Sequence, residues 1–285
     1  MTHTEFSWRA RDGQKLYAQE WQPDVPIRGA IALVHGLGEH SGRYAHVAES
    51  FNAAGYSVVA LDLRGHGKTG GQLGHIPSFE VAMQDIDYLL EQTALLHPGL
   101  PLFLYGHSMG GALVLYYALN RRPNLTGIIA TSPGLAPATP PTRATLFSAR
   151  IAYRLMPTMQ IDNGLDLSGL SNDPEVIRRY QADPLVHPKI SARLGLDIIQ
   201  NGQWVLQHAA EFPLPLLLMV GSADRLVSVP AVHQMAKSVP PERITFREWP
   251  GGYHELHNEP NKAEVIAFIL DWIKQKEPSP PASNV

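Results

Sequence analysis

Within LYGHSMGGALVLYYAL (residues 104–119) one serine stands between two glycines, as Gly106-His107-Ser108-Met109-Gly110. An apolar run of strand length leads into it and a helical pattern follows. In that setting G-x-S-x-G marks a sharp strand-to-helix turn, whose small flanking residues let the backbone bend and lift the serine hydroxyl above a sheet. The plainer alternative is a glycine-rich turn without chemistry. A serine hydroxyl is a weak nucleophile until a positioned base takes its proton, so Ser108 needs partners.

Where such a turn carries a nucleophile, the acid and then the histidine follow it in the chain. His233, His254 and His257 lie far enough downstream. His233, in PAVHQMAK, reads as a surface position on a helix. His254 and His257 both follow the strand-like ITFREWPGG, and Pro250-Gly251-Gly252 sets a tight approach just before His254. His254 is favoured as the base, with His257 the alternative. Asp224, just past the buried run of LLLMVGSADRLV, is placed to hold an imidazole in one tautomer and to stabilise its cation. Asp162, Asp166, Asp173, Asp183 and Asp197 fall in a different kind of segment and are poorly placed for that role.

Hydrolysis also needs donors aimed at the developing oxyanion. The backbone N–H of Met109, directly after the serine, is one. The loop LVHGLGEHSGRY offers Leu37 N–H as the second. That loop also holds Gly36, Gly38 and Gly42, with Asp62 beyond, but the spacing G-x-G-x-x-x-G is one residue too long for a dinucleotide fingerprint. His35, Glu39, His40, His66 and His75 lack metal-ligand spacing, and HELH at 254–257 misses H-E-x-x-H; these histidines read as loop-structuring, and no metal or cofactor is expected.

The elements that must position these residues are written in the apolar pattern. KLYAQEWQP alternates like a strand with one exposed face. GAIALVHG, YSVVALDL, PLFLYGHS, TGIIATSP and LPLLLMVGS are continuous apolar runs, the habit of parallel strands buried on both faces. Helical spacing runs from an N-cap at Ser78 through Phe79, Ala82, Ile86, Leu89, Leu90 and Thr93, and recurs over 112–119 and 263–273. Strands alternating with helices predict an α/β fold with a mostly parallel central sheet. The alternation lapses over 136–205, where Pro137, Pro140 and Pro141 precede helix-like apolar spacing. The predicted organisation is a core of 1–135 and 206–276, a largely helical inserted cap of 136–205, and a disordered Pro/Ser-rich tail of 277–285.

At 285 residues, 44% hydrophobic and 17% charged, the chain suits one large soluble domain, and a net charge of −3 gives no nucleic-acid footprint. It has no cysteine, which excludes thiolate chemistry and suits a cytoplasmic location. No apolar run approaches the ~18–20 residues of a membrane helix.

With Ser108, Asp224 and His254 in order, the chain resembles an α/β hydrolase of the monoacylglycerol lipase and lysophospholipase branch, labelled serine aminopeptidase S33. The resemblance rests on HGLGEHSGRY, LDLRGHGKTGG, GHSMGG, GSADRLV and YHELHNE, with YQADPLVH (180–187) similar to part of that family's cap. It implies an α/β-hydrolase fold and cofactor-free hydrolysis of a single-chain lipid ester through an acyl-enzyme. By the same resemblance Ser108 is the nucleophile, His254 the base, Asp224 the orienting acid, and Leu37 and Met109 the oxyanion donors. The cap is expected to set substrate choice and to be the surface for any transient contact with a membrane or micelle. A carboxylesterase for short or aromatic esters and a non-catalytic binding protein of the same fold are the alternatives. No acidic cluster is assigned to hold a peptide's amino terminus.

Overall fold

The structure, a computed structural model, describes residues 1–277. The tail expected to be disordered lies outside the described residues from 278 onward. Glu277, at its start, bonds Arg28 Nη2 at 2.7 Å and the Tyr56 hydroxyl.

In chain order the strands are β1 (Thr2–Arg9), β2 (Lys15–Gln22), β3 (Gly29–Val34), β4 (Tyr56–Leu61), β5 (Leu102–His107), β6 (Gly127–Thr131), β7 (Gln160–Asp162), β8 (Lys189–Ser191), β9 (Leu216–Gly221) and β10 (Ile244–Trp249). Eight of them form one sheet in the order β1-β2-β4-β3-β5-β6-β9-β10. From β4 to β10 all neighbours are parallel; β2 runs antiparallel to both β1 and β4. The apolar runs behave as their composition predicts: every residue of β3, β4, β6 and β9 is buried. β1 was not legible as a strand, because most of it is exposed at the sheet's edge.

The helices are α1 (Ala45–Ala53), α2 (Phe79–Leu96), α3 (Met109–Arg121), α4 (Arg143–Leu155), α5 (Pro174–Ala182), α6 (Ala192–His208), α7 (Val229–Ser238) and α8 (Lys262–Lys276). Successive side chains of a strand point to opposite faces, so β3 feeds two cores. Ala32 and Val34 join a cluster with α2, α3, α6 and α7, while Ile31 and Leu33 join one with α1 and α8. Ser78 caps α2 by accepting the Val81 N–H at 3.2 Å. Among the described residues no helix is long and apolar enough to cross a membrane.

The 136–205 segment holds α4, α5, the small antiparallel pair β7–β8 and most of α6. These elements differ in their packing. α4 buries only Ala152, whereas α6 contributes Leu194 and Val205 to the cluster that contains α3. Neighbouring parallel strands need a crossover connection, usually helical, and α6 supplies it between β6 and β9. Gly202 lets α6 approach: a Cβ there would lie 2.2 Å from the Leu135 carbonyl oxygen. Replacing glycine by alanine inside a helix normally stabilises by about 1 kcal/mol. Gly202→Ala is expected instead to destabilise, by about 1–3 kcal/mol, measured as a lower urea midpoint. A midpoint at or above wild type would mean that α6 is not docked this closely.

Candidate active site

Ser108 is the hinge between β5 and α3, with φ 56° and ψ −118°. A non-glycine residue in this region is strained, and the turn is held from both sides. Ser108 N–H donates to Thr131 O at 3.0 Å, and Ser108 O accepts Ala112 N–H at 3.0 Å and Gly134 N–H at 2.9 Å. The flanking glycines are required by close approach. A Cβ on Gly106 would stand 2.3 Å from Gly110 O, and one on Gly110 would stand 2.2 Å from Val34 O.

His254 follows β10 and Asp224 follows β9, so both reach the edge where β5 delivers the serine. The Ser108 hydroxyl meets His254 Nε2 at 2.9 Å, and His254 Nδ1–H donates to Asp224 Oδ2 at 2.8 Å. Asp224 Oδ1 accepts the N–H groups of Leu226 at 2.8 Å and Val227 at 3.1 Å. Burial opposes the charge on Asp224, but the His254 charge and these hydrogen bonds outweigh it and hold the carboxyl below its usual range. Burial likewise opposes the His254 cation, yet Asp224 raises its pKa above the ordinary imidazole value. An imidazole so held can take a hydroxyl proton while the carboxylate steadies the resulting cation.

Of the two histidines left open by the sequence, the structure brings His254 to the serine. His257 is buried against Tyr44 and His107, with ring centroids 4.8 Å away in each case. His233, on α7, pairs with Glu248. Asp173 caps α5, Asp166 accepts Ser168 N–H at 3.0 Å, and Asp183 meets His40 Nε2 at 2.9 Å.

Leu37 follows β3, and Met109 opens α3, where a first-turn N–H has no intrahelical carbonyl to meet. The loop histidines structure their surroundings separately. His35 Nε2 accepts Leu63 N–H at 2.9 Å, which leaves Nδ1–H to donate to Gly36 O at 2.8 Å. That carbonyl belongs to the same peptide as Leu37 N–H, so His35 fixes the direction of that donor. Leu37, Ser108, His254, Leu165, Leu170 and Leu226 line part of a cavity of about 20 Å³, room for about one water.

Sequence reasoning missed two supports. Ser132, buried and with φ 43°, donates from Oγ to the His254 carbonyl at 2.8 Å; nothing local in TSPG signals this. Arg43, in the wall of the same cavity, bonds both Glu39 and Glu255. Both partners stand in quoted motifs, but the Arg43–Glu255 bond spans 212 positions and is invisible to spacing.

Burial lowers the pKa values of His66, to about 3, and His107, to about 4, and places His257 well below its usual range. The unfolded chain binds these protons near pH 6.5, so the stabilising effect is full above that value and is lost as pH falls toward 4. His254, with its raised value, contributes in the opposite sense, but three groups outweigh one. The urea midpoint is therefore expected to drop between about pH 7.5 and about pH 5. A flat profile would show that these rings are protonated in the fold.

The family model for serine aminopeptidase, S33 matches residues 25–261. The chain is 36% identical over 273 residues to the monoacylglycerol lipase of Mycolicibacterium smegmatis, covering 95% of this chain and 97% of the relative. It is also 36% identical to an uncharacterized abhydrolase domain-containing protein of Dictyostelium discoideum, across the whole of this chain but only 31% of that protein. The crystal structure of Paleococcus ferrophilus monoacylglycerol lipase superposes with a TM-score of 0.85 at 36% identity, over 92% of this chain and 99% of that one. With its parallel sheet and the Ser108–His254–Asp224 geometry at the strand ends, this chain has the α/β-hydrolase fold and belongs to the serine aminopeptidase S33 family.

Proposed function

We propose that the protein is a serine hydrolase that cleaves monoacylglycerols, or closely related single-chain lipid esters, to fatty acid and alcohol. The observation that carries this reading is His254, bonded to Ser108 on one nitrogen and to Asp224 on the other. Ser108 Oγ attacks the ester carbonyl as its proton passes to His254 Nε2, and the backbone N–H groups of Leu37 and Met109 receive the oxyanion. His254 then gives the proton to the departing alkoxide, leaving an acyl-serine. A water, deprotonated by the same imidazole, attacks that ester, and collapse of the second intermediate releases the fatty acid and restores Ser108.

The lining around Ser108 supports an amphiphilic substrate. Leu165, Leu170 and Leu226 offer apolar surface, while Glu39, Arg43, Tyr180 and Glu255 bring polar groups to the same cavity. Both carboxylates are bonded to Arg43, which argues against their holding the free amino terminus of a peptide. The relatives named monoacylglycerol lipase favour the same substrate class. In this reading α4, α5 and β7–β8 form the cap, and α6 belongs to the core. Cap contact with a lipid surface is supported by α4, where Phe147, Ile151 and Leu155 are exposed beside Arg150 and Arg154, the mixture that favours interfacial binding.

Initial rates across glycerol monoesters and p-nitrophenyl esters of increasing chain length test the reading. A maximum at medium or long monoglycerides is expected, whereas a maximum at acetate or butyrate with monoglycerides ignored would assign a small-ester esterase. Ser108→Ala and His254→Ala should each lower kcat by about 10⁴–10⁶-fold, and the double variant by little more, because the residues act as one unit. Near-additive losses would break the assignment, and a folded wild type left unlabelled by a fluorophosphonate would mean binding without catalysis. Replacing Ile151 and Leu155 together by serine should reduce turnover of vesicle-borne monoglyceride and leave soluble p-nitrophenyl butyrate unaffected. Equal rates on both substrates would remove α4 from the lipid contact.

A further inference from the structure

In the wall of the cavity the fold buries three charges that no step of the hydrolysis consumes. Glu39 and Glu255 are 3% and 2% exposed, and Arg43 lies between them. Its guanidinium reaches Glu255 through two bonds, Nη1 to Oε1 and Nη2 to Oε2, each 2.7 Å, and its Nη1 also bonds Glu39 Oε2. The Tyr180 ring packs on the guanidinium, 4.7 Å from its centroid to Cζ. Burying an ion pair is costly unless geometry and additional hydrogen bonds compensate, and here both carboxylates have further donors. Asn258 Nδ2 donates to Glu255 Oε2 at 2.7 Å, and the Tyr44 hydroxyl to Glu39 Oε1 at 2.7 Å.

Two features connect this cluster to the reacting atoms. Glu39 Oε1 accepts Gly36 N–H at 2.6 Å, one residue before Leu37, while His35 holds the Gly36 carbonyl from the other side. Glu255 is the residue after His254. The guanidinium thus fastens the loop that presents an oxyanion donor to the loop that presents the base. The three charges also do not cancel: two carboxylates against one guanidinium leave a surplus negative charge beside His254.

We propose that Glu39, Arg43 and Glu255 form one positioning unit that fixes the Leu37 donor relative to His254 and favours the imidazolium through its surplus negative charge. The proposal rests on the hydrolase reading above. The other groups facing His254 are Asp224 from the loop after β9, Ser108 from the elbow, and His107 from β5, with His257 behind it. Burial keeps His107 and His257 neutral where the base titrates, with His107 near 4. Asp224 and the cluster therefore supply the negative charge that His254 faces.

Two variants of the full chain separate the two effects. Glu255→Gln keeps the shape and neutralises the surplus charge; Arg43→Lys keeps the charge and loses the fork that spans both carboxylates. Each is assayed on a monoacylglycerol and on a p-nitrophenyl ester, with thermal unfolding in parallel. Both should lose kcat by about 10- to 100-fold, equally on the two substrates and with KM unchanged. His254 must be neutral to accept the serine proton, so kcat/KM rises with pH through its titration. Removing negative charge makes the imidazolium more acidic, which moves that limb to lower pH in Glu255→Gln and leaves it in place in Arg43→Lys. A loss confined to KM for the glycerol ester would make the cluster a substrate contact and overturn the proposal, as would wild-type kcat in folded variants or an unmoved limb in Glu255→Gln. If Arg43→Lys fails to fold, the isosteric Glu255→Gln carries both readouts. A wild type inactive on every ester and unlabelled by fluorophosphonate would instead defeat the hydrolase reading itself.

Discussion

One imidazole must touch two side chains that lie 30 and 146 positions away from it in the chain, each within hydrogen-bond distance. A parallel sheet meets that requirement, because strands running the same way deliver their carboxyl ends to one edge whatever their distance in sequence. β5, β9 and β10 each end there, and the loop after β3 joins them. The buried apolar runs thus have a chemical consequence as well as a stabilising one: a shift in their register would carry Ser108, Asp224 and His254 apart.

Precision at that edge is obtained with backbone strain held in place by packing. Ser108 and Ser132 both adopt left-handed φ values without being glycine, and each ends a neighbouring strand. Ser132 holds the His254 carbonyl while Ser108 presents its hydroxyl. Gly106 and Gly110 give way to the Gly110 and Val34 carbonyls, so G-x-S-x-G records steric necessity at two positions and chemistry at one.

What could be read beforehand follows from the range of each interaction. Continuous apolar runs announce buried strands, and the Ser78 cap and the α2 periodicity are local, so both were legible. The order of Ser108, Asp224 and His254 could be inferred because each directly follows a strand pattern. The sequence favoured His254 over His257, but excluding His257 required the fold, since both stand on one short loop and its path decides which ring faces the serine. The exposed edge strand β1 has too little burial to leave a pattern. Ser132, His35 and the Glu39–Arg43–Glu255 cluster act through contacts between distant segments, for which composition and spacing carry no signal. α6 could not be separated from α4 by periodicity, since its attachment to α3 depends on the close approach at Gly202.

The weak attachment of α4 has a consequence for how this scaffold can diversify. The helix buries one side chain, Ala152, and exposes Phe147, Ile151 and Leu155. Substitutions on an exposed helix face usually change stability by no more than about 0.5 kcal/mol, whereas changes in the all-buried strands disturb a close-packed core. The surface of α4 is therefore free to drift in sequence while the sheet is held nearly constant. A lineage built on this chain can remodel the face that α4 shows to its surroundings without disturbing the strand ends that hold Ser108, Asp224 and His254.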